Sequence, residues 1–162
     1  MKSAIAMTIT GEIKVLVGPS KEVTQEVMID GIRRGRGALM AEFLRGGKDQ
    51  GPDKPYVMGE FTIVRPSING EIDPVKGFSV EEKTAVLKLW ESVKQQVEEG
   101  KCSYLILDGI GEAISAGIIP RSAVLDLILQ KPERVDVILT GPTMPQSIKA
   151  LASEIRKIGE GN

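Results

Sequence analysis

The stretch from Ile13 to Glu26, IKVLVGPSKEVTQE, sets the reading of the whole chain. Its first five residues are almost continuously apolar and rich in β-branched side chains, the pattern of a strand buried on both faces. Gly18 and Pro19 break the run, and a helical pattern follows directly. Strand, turn and helix in that order are the setting of a phosphate-binding loop. Such a loop opens on a glycine and closes on G-K-[ST], because glycines let backbone N–H groups curl around an anion while the lysine and hydroxyl serve phosphate and metal. With Gly18 as the first glycine and Thr24 as the hydroxyl, the second glycine is Glu22 and the lysine is Val23. The setting is there; the residues that handle charge are not.

Working outward, similar apolar runs occur at Ile5 to Ile9, Ala38 to Phe43, Phe61 to Val64, Tyr104 to Leu107 and Val135 to Leu139. Each reads as a strand, and Ile5 to Ile9 is placed to form a hairpin with Ile13 to Val17 across Thr10-Gly11-Glu12. Helical patterns lie between them. Ser79-Val80-Glu81-Glu82 is a capping box, introducing a helix with Val86, Leu89, Trp90, Val93 and Val97 on one face and stopped by Gly100. Pro120 opens a helix carrying Val124, Leu125, Ile128 and Leu129, which ends before Pro132. Thr143 to Gln146 resembles a third capping arrangement, predicting a helix through Ile148, Leu151, Ala152, Ile155 and Ile158. Strands alternating with helices imply an α/β fold of three layers, α/β/α, on a mostly parallel sheet, with ligands at the carboxyl ends of the strands. The loops after Val17, Leu107 and Leu139 should gather there. The Gly-, Pro- and charge-rich segments from Arg45 to Gly59 and from Pro66 to Gly77 read as mobile loops inside one domain spanning residues 1–162.

Composition narrows the chemistry. The chain has 162 residues, 41% of them hydrophobic, enough for one domain with a proper core. Its 21 basic and 22 acidic residues leave a net charge of −1, which gives no electrostatic footprint for a nucleic acid polymer or an anionic membrane. The cluster Arg33, Arg34 and Arg36 reads as a solvated helix end favoured by the macrodipole. With no histidine and Cys102 as the single cysteine, disulfide frameworks, ordinary zinc sites, Ser-His-Asp triads and Cys-His dyads are all excluded. The N-terminal apolar run is broken by Thr8, Thr10 and Gly11 well short of a membrane span, so a cytoplasmic location is expected.

Taken together, several segments resemble the P-loop ATP:corrinoid adenosyltransferases, which move the adenosyl group of ATP onto the cobalt of reduced corrinoids. In order, they are the strand followed by VGPSKEVT; GIRRGRGALMAEFLRGG, similar to that family's helix end, second strand and QFLKG; a helix centred on Trp90; YLILDGIGEAISAGIIP, similar to its LDE segment; and RVDVILTGPTMPQSIKALASEI, similar to its ILTGR strand and following helix. The resemblance runs from about residue 13 to 158. It implies a P-loop NTPase-like, RecA-like topology, MgATP and a corrinoid as ligands, and a homodimer.

The departures fall on the functional positions. Besides Glu22 and Val23, the acid expected after the LD aspartate is Gly109, and the arginine of TGR is Pro142. A glutamate at position 22 opposes each phosphate charge by about 3 kcal/mol at about 5 Å and an effective dielectric of about 20. If the loop also calls for positive φ there, a non-glycine residue adds about 1 kcal/mol of strain. Restoring Glu22→Gly together with Val23→Lys is then expected to raise MgATP affinity. Gly18, Lys21, Thr24 and Asp108 are the candidate nucleotide-binding residues, with Thr24 and Asp108 as candidate holders of Mg²⁺ through water. No catalytic residue is assigned. The plainer expectation for Asp108 is that it caps the turn and helix start at Gly109 to Gly111. Arg45, Lys48 and Lys54 form a basic loop that either approaches phosphate or is simply solvated; Glu112 as a substitute for the acid lost at Gly109 and Glu60 near the loop mouth stand against the plainer expectation that each is an ordinary surface residue; and Trp90 and Phe78 either cover a planar ring or pack in the core.

These readings point to a corrinoid adenosyltransferase-like protein that has lost normal ATP binding and catalysis and serves as a ligand-binding or regulatory homologue, retaining weak MgATP binding, a corrinoid, or both. Two alternatives stand beside it. One is an active ATP:cob(I)alamin adenosyltransferase with rearranged phosphate contacts. The other is a structural or interaction protein reusing the fold, with a dimer face that the apolar residues of the terminal helix would suit, as they would equally suit packing on the sheet.

Overall fold

Continuous apolar runs become the inner strands of a seven-stranded sheet in the computed structural model, which describes residues 11–47 and 51–159. In chain order the elements are β1 (Ile13–Val17), α1 (Ser20–Arg34), β2 (Ala38–Glu42), β3 (Tyr56–Met58), β4 (Phe61–Val64), α2 (Val80–Glu98), β5 (Tyr104–Asp108), α3 (Ile110–Ser115), α4 (Arg121–Gln130), β6 (Asp136–Gly141), α5 (Gln146–Lys149) and β7 (Glu154–Lys157). The sheet order is β3-β4-β2-β5-β6-β1-β7, and every neighbouring pair is parallel except β3 with β4. The expected strand Ile5 to Ile9, its hairpin and Lys48 lie outside the described residues.

The strand sequences follow their places in the sheet. β2 and β5 are buried at every position, whereas β7 at one edge is exposed at every position. Crossovers between parallel strands place helices on both faces, giving the expected three layers. Among the described residues, α1 covers one face: Val23 and Val27 pack on Leu16, Met40, Phe61, Ile106 and Ile138. On the other face α2, α3, α4 and α5 close a larger core that includes Trp90, Leu105, Leu107, Leu139 and Ile148.

Helix α1 approaches the sheet closely because Gly31 has no side chain. A Cβ there would overlap the Phe61 ring. The α2 helix has the face its sequence predicts, with Val86, Leu89, Trp90, Val93 and Val97 all buried. Its capping box is present: the Ser79 hydroxyl accepts from the Glu82 N–H at 3.0 Å, and the Ser79 N–H donates to the Glu82 carboxylate at 2.8 Å. In α4, Val124 and Ile128 are buried, but Leu129 points to solvent.

Three expectations are corrected. The helix predicted through Ile158 stops after Lys149, is preceded by Pro145 without a side-chain cap, and gives way to strand β7. Pairing with the free edge of β1 outweighs the helical pattern there: the Ser153 N–H donates to the Ile13 carbonyl at 2.7 Å and the Ile158 N–H to that of Val17 at 2.8 Å. Ile155 is accordingly exposed on an edge strand, so the terminal helix that suggested a dimer face does not form. Next, the segment from Arg45 to Gly59 contains β3, whose three residues are too few and too exposed to show a sheet pattern. Finally, the two predicted loops are stitched together. Arg45 and Glu71 form an antiparallel bridge, the Ile72 N–H donates to the Leu44 carbonyl at 2.8 Å, and Ile72 is buried.

Candidate functional site

Side chains alternate along a strand, so residues two apart share a face. Met40, Ile106 and Ile138 lie in register across β2, β5 and β6 and face α1. Two positions further along each strand stand Glu42, Asp108 and Thr140, a polar row at the carboxyl ends, and all three are buried. Polar groups at such depth need partners.

Asp108 finds them on both sides. Thr24 donates from Oγ1 to Oδ2 at 2.7 Å, and Thr140 donates from Oγ1 to Oδ1 at 2.8 Å. The Thr140 hydroxyl also accepts the Gly109 N–H at 2.9 Å. Gly109 takes φ 85° as the N-cap of α3, a left-handed conformation that glycine adopts without a Cβ penalty, and no side chain caps that helix. Asp108 therefore does not cap the turn, as the plainer expectation had it; it ties α1 to β5 and β6. Burial pushes its carboxyl up to about 6, against the pull of the two hydroxyls and with some repulsion from Glu42.

Glu42 is held differently. Both Nε and Nη2 of Arg65 donate to its Oε1 at 2.7 Å, and the same guanidinium lies 5.7 Å from the centre of the Tyr56 ring on β3. Neither Glu42 nor Arg65 was singled out in the sequence. The signal available was a lone glutamate ending an apolar strand, in register with Asp108 on the neighbouring one.

A cavity of about 610 Å³ opens over this row, lined among others by Lys21, Thr24, Glu42, Arg45, Asp73 and Asp108. Of the candidate nucleotide-binding residues, Lys21, Thr24 and Asp108 are thus brought together. Gly18 is not in the cavity wall. Its N–H donates to the Gly141 carbonyl at 3.2 Å, and a Cβ there would overlap the Ile158 carbonyl. The loops after β1, β5 and β6 do gather, as expected.

Only Gly18 and Pro19 separate β1 from α1. Glu22 stands in the first turn of the helix, so the strain considered for a left-handed residue at that position does not arise. Val23 is 1% exposed in the core beneath α1, facing the sheet. Neither position lies on a glycine-rich loop.

The remaining candidates are dispersed. Glu112 is buried on α3, its Oε1 has no hydrogen-bond partner, and burial, helped by repulsion from Asp108, pushes its carboxyl up to about 7. Glu60 precedes the amino end of β4, opposite the carboxyl ends where the cavity lies, and pairs with Arg36 at 3.8 Å; the expected position near the loop mouth is not found. Lys54 is exposed and outside the cavity wall. Trp90 is a core residue, its ring 6.4 Å from that of Phe43, and Phe78 packs against the same core. Arg34 at the end of α1 stacks on Tyr104 at 4.3 Å and pairs with Asp136, so the basic cluster is partly spent on structure. The Cys102 thiol is pushed up to about 11 by burial, away from nucleophilic use.

Both oxygens of Asp108 are occupied by hydroxyls. Among the described residues, no group of three or more histidine, cysteine, aspartate or glutamate side chains converges to hold a metal ion. No helix among the described residues is long and apolar enough to cross a membrane.

No curated protein matches the chain significantly. The family model for ATP:corrinoid adenosyltransferase BtuR/CobO/CobP matches residues 10–161. That span contains every described strand and helix, the polar row at the carboxyl ends and the cavity above it. The chain belongs to the ATP:corrinoid adenosyltransferase family.

Proposed function

We propose that this family member has lost normal ATP binding and serves as a ligand-binding or regulatory homologue, with a corrinoid or related tetrapyrrole as the retained ligand class. The observation that carries this reading is the junction of β1 and α1. Helix α1 starts at Ser20, so the segment where a triphosphate would be cradled is helical, with a carboxylate at Glu22 and an apolar, buried side chain at Val23. A phosphate cradle works by presenting several backbone N–H groups and a lysine ammonium to the anion. The connection has no glycine-rich curl, the N–H groups of the first helical turn stand beside the Glu22 carboxylate, and Val23 offers no ammonium. The cavity itself persists, which supports a role in binding.

A second reading is favoured by one observation. Lys21, Thr24 and Asp108 share the wall of one cavity, as an adenosyltransferase with rearranged phosphate contacts would need. In that reading the protein's contribution is positioning, with the corrinoid cobalt as nucleophile toward the ribose 5′ carbon and triphosphate as leaving group.

Calorimetric titration of MgATP into the purified protein, with Asp108→Ala beside it, separates the two. The expected result is no heat of binding at millimolar MgATP. Tight binding that Asp108→Ala abolishes would overturn the first reading, and formation of adenosylcorrinoid from reduced corrinoid, ATP and Mg²⁺ under anaerobic conditions would then establish the second.

A further inference from the structure

Glu42 is the least exposed acid in the wall of the cavity, at 2%. It is also the register partner of Asp108, on strands whose neighbouring backbones lie about 4.8 Å apart, and both side chains are on the α1 face. Arg65 grips Glu42 through Oε1, yet Arg65 does not line the cavity while Glu42 does. Glu42 thus lies in the cavity wall and its guanidinium partner outside it. At that depth the Glu42–Arg65 pair is poorly screened, whereas the exposed acids Glu71 and Asp73 are screened by water and salt.

We infer that Glu42 is a specificity-determining residue of this cavity, turning it toward uncharged or cationic ligands rich in hydrogen-bond donors and away from polyphosphates. The inference rests on reading the cavity as the ligand site. Its chemistry is direct. Carboxylate lone pairs accept from hydroxyl, amine and carboxamide groups, and charge-assisted hydrogen bonds of that kind are the stronger ones. A triphosphate brings several negative charges to the same floor and offers no donors there. Asp108 accepts Thr24 and Thr140 on separate oxygens, whereas the Arg65 nitrogens at 2.7 Å from Glu42 both fall on Oε1.

The test uses MgATP and adenosine as probes, titrated calorimetrically into the wild type, Glu42→Gln and Arg65→Gln, with thermal melts to establish that each is folded. Glutamine keeps the shape and removes one negative charge. Glu42→Gln should tighten MgATP by about tenfold or more while moving adenosine by less than about twofold. Arg65→Gln, which leaves the Glu42 carboxylate in place, should give no gain for MgATP. Glu42→Met, of similar length, carries the same expectation as Glu42→Gln if glutamine does not fold. Absence of any MgATP gain in a folded Glu42 variant, an equal gain for adenosine, or a matching gain in Arg65→Gln would overturn the inference. Tight MgATP binding by the wild type would instead overturn the lost-ATP reading and leave this one standing, because its measure is the change on substitution.

Discussion

Thr24 and Asp108, 84 positions apart in the chain, are joined by a hydrogen bond of 2.7 Å that pins helix α1 to the carboxyl end of β5. With Thr140 on its other oxygen, Asp108 is gripped from both sides in a buried row. The hydroxyls satisfy the carboxyl group, but they do not fully offset the cost of burying its charge.

That balance gives stability a pH dependence. Asp108 is raised from 3.8 to about 6, so between those values the folded state holds a proton that the unfolded state has released. The stabilisation is complete below the unfolded value and is lost as pH rises through about 6, a displacement of about 3 kcal/mol in all. Asp108→Asn should flatten the urea-unfolding profile across that window and leave the protein at least as stable as the wild type at about pH 8. An unchanged slope would mean that Asp108 is not the group responsible.

Glu112 extends the same trend upward. It is raised from 4.5 to about 7, and the sign is the same: its stabilisation is present below the unfolded value and lost as pH rises through the folded one. Glu112 is raised to the higher value of the two. Glu112→Gln should therefore remove the loss of stability on the approach to about pH 7, while Asp108→Asn should only lessen it, because burial is the larger cause of the Glu112 shift and repulsion from Asp108 a smaller one. Thermal melts of the two single variants and the double variant across pH resolve the two contributions, and identical profiles would contradict the assignment.

Val23→Lys tests the β1–α1 junction. From the sequence, this change with Glu22→Gly was expected to rebuild a phosphate loop; in the structure it places an ammonium in the core beneath α1. The expected outcome is a loss of about 3 kcal/mol or more in chemical denaturation with no gain in MgATP affinity. Glu22→Gly alone, in the exposed first turn, should cost only about 1 kcal/mol. A stable Val23→Lys protein that binds MgATP would show that the helix start unwinds into a loop.

Gly31→Ala tests the approach of α1 to the sheet. The added methyl meets the Phe61 ring, itself fully buried, so neither side has room to move. A loss of about 1–3 kcal/mol is expected in urea unfolding, the range for overpacking a dense core. A change within about 0.5 kcal/mol would mean that the contact relaxes without cost.

How much of this was legible in the sequence can be traced element by element. The continuous runs of β1, β2, β4, β5 and β6, the capping box at Ser79 and the buried face of α2 were determined locally, because strand burial and helix periodicity are written into neighbouring side chains. Asp108 and Thr24 could be named as candidates from their places at a strand end and a helix start. What only the tertiary structure decided were the pairings between distant segments. Glu154 to Lys157 continues a helical pattern but becomes β7, because the open edge of β1 satisfies its backbone. Three residues from Tyr56 to Met58 become β3 only by lying against β4. Glu42 finds its partner in Arg65, 23 positions away, and takes its place beside Asp108 from the strand register. Val23, a missing lysine in the sequence, is a core residue because α1 begins at Ser20 and turns that position toward the sheet. Local patterns fix which face of an element is apolar; hydrogen-bond ladders and buried charges are completed by partners far along the chain, and only folding brings those partners together.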